Sequence, residues 1–283
     1  MKISIFSLFR DSEPHLPRCL DQLDSLESNT NAEFSYFFYE NDSSDNTVEI
    51  LKKWIANKSG NFASEKLSKP KFGSTLDPER MILMSQVRNK MLSLCDAKTD
   101  YSLVFDSDLI FEPTVINDFL KFNNLDHIDY PNYSMLTANV RQNVPCKMGS
   151  GKQDSYYDSS CLFDINKVNC MTWSDNPFYE NQDRMDFASN LPVHIYRGFG
   201  SMAFLKTEIL KKVNWDSNGE SEHWSFCDQL RNYGRIYLMP NVKPRVNVGQ
   251  TIWDHEINVV NHQKWMLENK WNRFLWKTKS KKV

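Results

Sequence analysis

Neither charge sign is in excess in this 283-residue chain, whose 34 basic and 36 acidic side chains leave a formal net charge of −2. The balance excludes the polycationic field that drives nonspecific nucleic-acid binding, so no nucleic-acid partner is expected and an anionic ligand must be gripped locally. Cysteine is sparse: Cys19, Cys95, Cys146, Cys161, Cys170 and Cys227 lack CxxC spacing and the density of a disulfide scaffold, which fits a reduced, cytoplasmic setting. Long apolar runs are also missing. The opening has only about seven largely apolar residues before Arg10 and Asp11, too few for a signal-peptide core or a membrane span, and reads as a buried first strand. Internal repeats and low-complexity tracts are absent as well, which excludes solenoid and fibrous architectures.

What is present is an alternation of short apolar runs with helical spacings. Lys2 to Ser7 predicts a strand, Asp11-Ser12-Glu13-Pro14 a cap and a proline near a first helical turn, and Leu16, Leu20, Leu23 and Leu26 follow at helical spacing. Phe34 to Tyr39 predicts a second strand, and the polar turn Asn41-Asp42-Ser43-Ser44-Asp45 leads into Val48, Ile50, Leu51, Trp54 and Ile55. A βαβ start of this kind implies a parallel sheet with right-handed crossovers. Residues 57–79 read as a long surface loop before a helix at about Glu79 to Leu94. Tyr101 to Phe105 predicts a short buried strand, Pro113 opens a helix through Phe122, and Met135 to Val140 is a further strand. Residues 141–195 show weak periodicity and read as a variable region on the acceptor side. Then Met202 to Leu205 predicts a strand with a helix through Val213, Phe226 to Arg231 a helix, and Ile236 to Met239 a late strand. The fold expected is α/β, a mixed, mainly parallel sheet flanked by helices in a single domain spanning 1–283.

The strand ending at Phe105 runs straight into Asp106-Ser107-Asp108. Charge at a strand's carboxyl end is costly unless something cationic meets it. In an extended segment residues i and i+2 point the same way, so Asp106 and Asp108 can together offer oxygen ligands to a hard divalent ion that also bridges a diphosphate. The plain alternative is a solvated loop with helix-capping aspartates.

Three motifs occur in a telling order: Glu40-Asn41-Asp42-Ser43-Ser44-Asp45-Asn46-Thr47 after the second strand, Arg88-Asn89 in a helix, then Asp106-Ser107-Asp108. Over roughly residues 1–125 this resembles the GT-A nucleotide-sugar glycosyltransferases of the family 2 type, with some likeness to capsule-associated and fungal-type mannosyltransferases. The resemblance implies a GT-A, Rossmann-like fold, with 1–125 the nucleotide-sugar-binding half, 126–260 the acceptor-binding half and 261–283 a basic-aromatic tail. It implies that Glu40, and less directly Asp42, reads the nucleotide base or ribose, with Asp45 a helix N-cap. Arg88 would lie near the diphosphate, Asp106, Ser107 and Asp108 would form the DxD motif, and Ser7, Phe9 and Arg10 would touch the nucleotide. Arg10 could equally meet only a surface acid.

In the second half Gly219-Glu220-Ser221-Glu222-His223-Trp224 resembles the acidic segment at which inverting members keep their catalytic base. Glu222 stands ahead of Glu220 for that role, against the plain reading that glutamates favour a helix N-terminus. His255 matches the late histidine that completes a metal shell, with His262 close by as a substitute. Gly198 to Ser201 allows close approach by a donor sugar or acceptor, or is a plain loop pair. The tail interleaves Trp265, Trp271, Phe274, Leu275 and Trp276 with lysines and Arg273, as a helix does when it packs on its own domain or lies at a membrane surface.

The resemblance therefore implies transfer of a sugar from a nucleotide diphosphate donor, a UDP-sugar ahead of a GDP- or dTDP-sugar, to a saccharide or glycan hydroxyl, with Mn2+ or Mg2+ as cofactor. Two rivals use some of the same features. A sugar nucleotidyltransferase would show a glycine-rich basic loop after the first strand, and Ser7-Leu8-Phe9-Arg10-Asp11-Ser12-Glu13-Pro14 contains no glycine. A noncatalytic carbohydrate-binding protein would account for an aromatic content of 13% but not for the ordered acidic motifs.

Overall fold

The computed structural model describes residues 1–72, 77–96, 98–145, 152–170 and 174–246. Cys146, His255, His262 and the tail from 261 onward lie outside the described residues. The chain begins with β1 (Lys2–Phe9), α1 (Leu16–Asn29), β2 (Glu33–Asn41), α2 (Thr47–Ile55), β3 (Gly60–Glu65) and α3 (Pro78–Ser93). It continues with β4 (Tyr101–Asp106), β5 (Leu109–Ile110), α4 (Val115–Leu120), β6 (Tyr133–Ala138), β7 (Arg141–Pro145), β8 (Lys152–Tyr156) and β9 (Phe163–Asp164). After α5 (Asn181–Ala188) come β10 (Val193–Arg197), β11 (Met202–Lys206), α6 (Thr207–Leu210), α7 (Glu222–Leu230), β12 (Arg235–Met239) and β13 (Arg245–Val246).

Nine strands form one sheet in the order β3-β2-β1-β4-β11-β6-β12-β10-β9. The first four are mutually parallel, and β6 pairs parallel with β12. The antiparallel pairs at β11 and β10 reverse only those two strands, so seven of the nine run the same way. Side chains alternate between the faces. Ile3, Ile5, Tyr36, Phe38, Leu103, Phe105 and Phe204 enter one core beneath α1, α2 and α4, whereas Phe6, Phe37, Tyr39, Val104 and Ala203 enter the other beneath α3 and α7. Burial on both faces is why β1, β2 and β4 read as continuous apolar runs. A smaller sheet, β5-β13-β7-β8, stands beside the main one.

Several boundaries differ from expectation. Residues 57–79 contain β3, an edge strand built on pairing with β2 rather than on apolar alternation; only Phe62 and Ala63 give it apolar side chains. The first helix starts at Leu16, with Pro17 rather than Pro14 in its first turn. The helix expected at Phe226 starts four residues earlier, because Ser221 and Glu222 suit a helix N-terminus while apolar spacing begins only at Phe226. The helix expected from Pro113 starts at Val115, leaves α-geometry after Leu120 and finishes as a 3-10 turn over Lys121–Asn124. Asp45 accepts the Thr47 N–H at 3.0 Å, although the N-cap position itself falls on Asn46.

Candidate active site

Parallel register brings the carboxyl ends of three strands level: Phe9 pairs with Glu40, and Leu8 with Asp106. Glu40 and Asp106 therefore flank the end of β1, about 10 Å apart at two strand spacings. On the β2 side the carboxylates are consumed by the chain itself. Glu40 accepts the Ser43 N–H at 2.7 Å and the Ser64 hydroxyl at 2.6 Å, and so braces the turn after β2. Asp42, at φ 58°, accepts the N–H groups of Ser68 and Lys69 at 2.7 and 3.2 Å. Arg10 donates to the carbonyls of Lys69 and Pro70 at 2.6 and 3.1 Å and its charge reaches Asp42, so the arginine fastens the segment that Asp42 also holds.

The strand end itself turns its side chains inward. Ser7 is buried and donates to the Phe105 carbonyl at 3.0 Å, and Phe9 is packed edge-on against Phe38. Both side chains are thus taken up by contacts within the protein.

The other group forms around β4. Asp106 is the last residue of that strand, whereas buried Ser107 and then Asp108 lie in a turn before β5, so the aspartates are not side by side on an extended segment. They still feel one another: burial first, then the charge of Asp106, pushes the Asp108 carboxyl up to about 6. Arg88, only 3% exposed, projects from α3 and donates to Asp106 Oδ1 at 3.1 Å and to Glu222 Oε1 at 3.4 Å. Its guanidinium also faces the rings of Phe199 and Trp215 at 5.3 and 5.7 Å. Burial opposes that positive charge, and the two carboxylates outweigh burial and hold it on.

Glu222, 5% exposed, is the first residue of α7. Burial works against its charge too, but the positive groups around it, His223 when protonated and Arg88 always, leave its carboxyl below the usual range. Glu220 is exposed, and only its backbone carbonyl is engaged, by Ser217. The structure thus brings Arg88, Asp106 and Glu222 together and leaves Glu220 outside. Asn89 works beside Arg88: its side chain donates to the Trp215 carbonyl at 2.6 Å and accepts the Trp215 N–H at 2.9 Å.

Sequence reasoning missed three members of this site. Asp158, on the loop after β8, accepts the Gly200 N–H at 3.1 Å, and burial followed by the charges of Asp106 and Glu222 raises its carboxyl to about 7. Tyr157 feels Asp108 and Asp106, and burial with those charges raises its phenol. His223 lies 3.4 Å from Glu222. The run Tyr156-Tyr157-Asp158 inside an otherwise weakly patterned region offered a signal for the first two, and His223 stood beside Glu222 in the acidic segment. Gly200, at φ +63°, belongs to the plain reading: a Cβ there would stand 2.5 Å from the Ala138 carbonyl, so its freedom serves the chain's own packing.

Asp106 and Asp108 suit a hard divalent cation. Arg88 engages one oxygen of Asp106, and among the described residues no side chain donates to the Asp108 carboxylate, where the charge of Arg18 does not offset burial. No group of three or more His, Cys, Asp or Glu side chains is assembled for a metal among the described residues.

Solved structures share this fold. Residues 1–349 of S. aureus TarS match with a TM-score of 0.50 at 17% identity, covering 87% of this chain and 60% of that one. The same fragment in complex with UDP matches at the same TM-score, identity and coverage, 0.50, 17%, 87% and 60%. The mannosyltransferase PcManGT from Pyrobaculum calidifontis, in complex with GDP-Man and Mn2+, matches with a TM-score of 0.50 at 11% identity, covering 89% of this chain and 58% of that one. The chain has the GT-A fold. It spans about six tenths of the length of these structures. No protein-family model matches the sequence, and no curated protein matches it. At such identities the likeness is one of fold, and the chemistry must be argued from the site.

Proposed function

We propose that this protein is a glycosyltransferase that moves a sugar from a nucleoside diphosphate donor to a saccharide hydroxyl, with inversion at the anomeric carbon. The observation that carries the reading is the Arg88 bridge, a buried cation joining a carboxylate at the carboxyl end of β4 to one at the start of α7. A diphosphate needs positive charge at the carboxyl edge of such a sheet, and a transfer to a hydroxyl needs a base across from it. Two structures of the same fold, named as complexes with UDP and with GDP-Man and Mn2+, support this donor class, with a UDP-sugar preferred.

Asp106 and Asp108 are the residues that would hold Mn2+ or Mg2+, which when bound would neutralise charge on the departing diphosphate. Glu40 and Asp42 shape the turn over which the nucleoside lies. Glu222, kept ionised by Arg88, takes the proton of the acceptor hydroxyl as that oxygen attacks. Arg88 and His223 both stand 3.4 Å from Oε1, and in this reading Oε2 takes the proton.

Incubation with a panel of UDP-, GDP- and dTDP-sugars and Mn2+, followed by mass spectrometry, tests the activity. One donor is expected to be consumed slowly even without acceptor, which names the sugar. Proton NMR of the product reads the anomeric configuration: retention removes the base from Glu222, and failure to bind any nucleotide diphosphate removes the enzyme reading.

A further inference from the structure

His223 enters the scheme above only through its approach to Glu222, yet its surroundings are tightly specified. The imidazole lies flat on Phe199, with centroids 4.2 Å and planes 7° apart. Trp215 Nε1 donates a hydrogen bond to its Nδ1 at 3.3 Å. An indole N–H only donates, so Nδ1 is the bare nitrogen and a neutral imidazole carries its proton on Nε2. Burial, the largest influence on this ring, lowers its pKa to about 4, which keeps it neutral near pH 7. Nε2 stands 3.4 Å from Glu222 Oε1. Trp215 is itself fixed, stacked on Phe226 at 4.0 Å with planes 4° apart and tied to Asn89 through both its N–H and its carbonyl.

We propose that His223 is a positioning residue whose Nε2–H, aimed by the Trp215 indole, holds Glu222 Oε1 so that Oε2 faces the acceptor hydroxyl. The inference rests on the reading of Glu222 as base. Arg88 reaches Oε1 at 3.4 Å and the Glu222 backbone N–H also engages the carboxylate, and an N–H at Nε2, 3.4 Å from the same Oε1, adds a further restraint on its orientation. Long contacts of this kind tighten when substrate closes the site. The arrangement also gives the consecutive residues Arg88 and Asn89 one purpose. Arg88 supports Glu222 directly, and Asn89 supports it through Trp215 and His223.

The full chain labelled with 15N-histidine tests the tautomer without reference to activity, the His223 signal being assigned by its loss in His223→Gln. The expected spectrum has Nε2 protonated and Nδ1 bare near pH 7; an Nδ1–H tautomer or an imidazolium overturns the proposal. Steady-state kinetics with the donor concentration varied then compare two variants. His223→Gln supplies an amide N–H in place of Nε2–H, whereas His223→Phe keeps a ring on Phe199 and has no donor. His223→Phe is expected to lose about tenfold or more in kcat with donor KM unchanged, and His223→Gln to retain most of its rate. A His223→Phe rate equal to or above that of His223→Gln overturns the positioning role while leaving Glu222 as base. Absence of any transfer by the unsubstituted protein overturns both.

Discussion

Two groups of carboxylates stand along one edge of the same sheet, and the chain treats them in opposite ways. Around the ends of β1 and β2, Asp11 is met by Ser44 and Lys71, Glu40 by Ser43 and Ser64, Asp42 by Ser68 and Lys69, and Asp45 by Thr47 and Glu13. Against the effect of burial, these donors hold the Asp11, Asp42 and Asp45 carboxyls below their ordinary value. Around β4 the balance reverses: Asp108 and Asp158 are pushed up, by burial and by one another's neighbours, and Arg88 is shared between Asp106 and Glu222. An acid answered by the chain's own donors shapes a surface, and an acid left over is available to a ligand.

The sharpest test of this contrast is Glu222→Gln. A general base contributes on the order of a hundred to ten-thousand-fold in rate, so kcat is expected to fall by that much while donor affinity, read by calorimetry, stays the same. Loss of donor binding would move Glu222 to the donor side, and normal turnover would end its role as base. Next comes Arg88→Met, which leaves two carboxylates facing each other's surroundings without their cation. Thermal unfolding should show a loss of about 3–5 kcal/mol, against under about 1 kcal/mol for Arg10→Met, whose less buried guanidinium donates to two loop carbonyls near Asp42. Equal losses in the two variants would erase the distinction drawn here.

Asp106→Asn and Asp108→Asn should each weaken Mn2+-dependent UDP binding on the order of tenfold, because each removes an anionic oxygen from a site that must hold a dication and a diphosphate together. Calorimetry with and without metal decides, and unchanged affinity in both variants rules the pair out as ligands. The smallest effect has opposite signs in the two regions. The folded Asp108 carboxyl sits near 6 against 3.8 when unfolded, so its ionisation costs stability progressively from about pH 4 to pH 6 and fully above that. Metal-free Asp108→Asn should therefore melt a few degrees higher at pH 7, with no difference below pH 4. Asp42 is lowered on folding, so its contribution is present at pH 7 and fades as pH falls through its folded value. Asp42→Asn should melt lower at pH 7, and a melting shift of the same sign in both variants would contradict the contrast.

Much of the first half was legible because its strands are buried on both faces and its helices carry regular apolar spacing, so local pattern and final position agree. β3 was not legible, since its place in the sheet comes from pairing with β2 and its own side chains carry almost no pattern. Nor were Asp158 and Tyr157, which enter the site from a region whose short strands β7 and β8 are defined mainly by their pairing with each other.

The order of motifs, the parallel start of the sheet and the candidacy of Asp106, Asp108 and Glu222 were determined by sequence alone, because they depend on residue type at short spacing. The tertiary structure decided which of two nearby glutamates faces the site, that Glu40 and Asp42 are occupied by their own chain, and that Trp215 and His223 line up behind Glu222. Each of those depends on partners far apart along the chain, Arg88 and Glu222 being separated by 134 residues, and the charge balance of a buried group exists only once such partners meet.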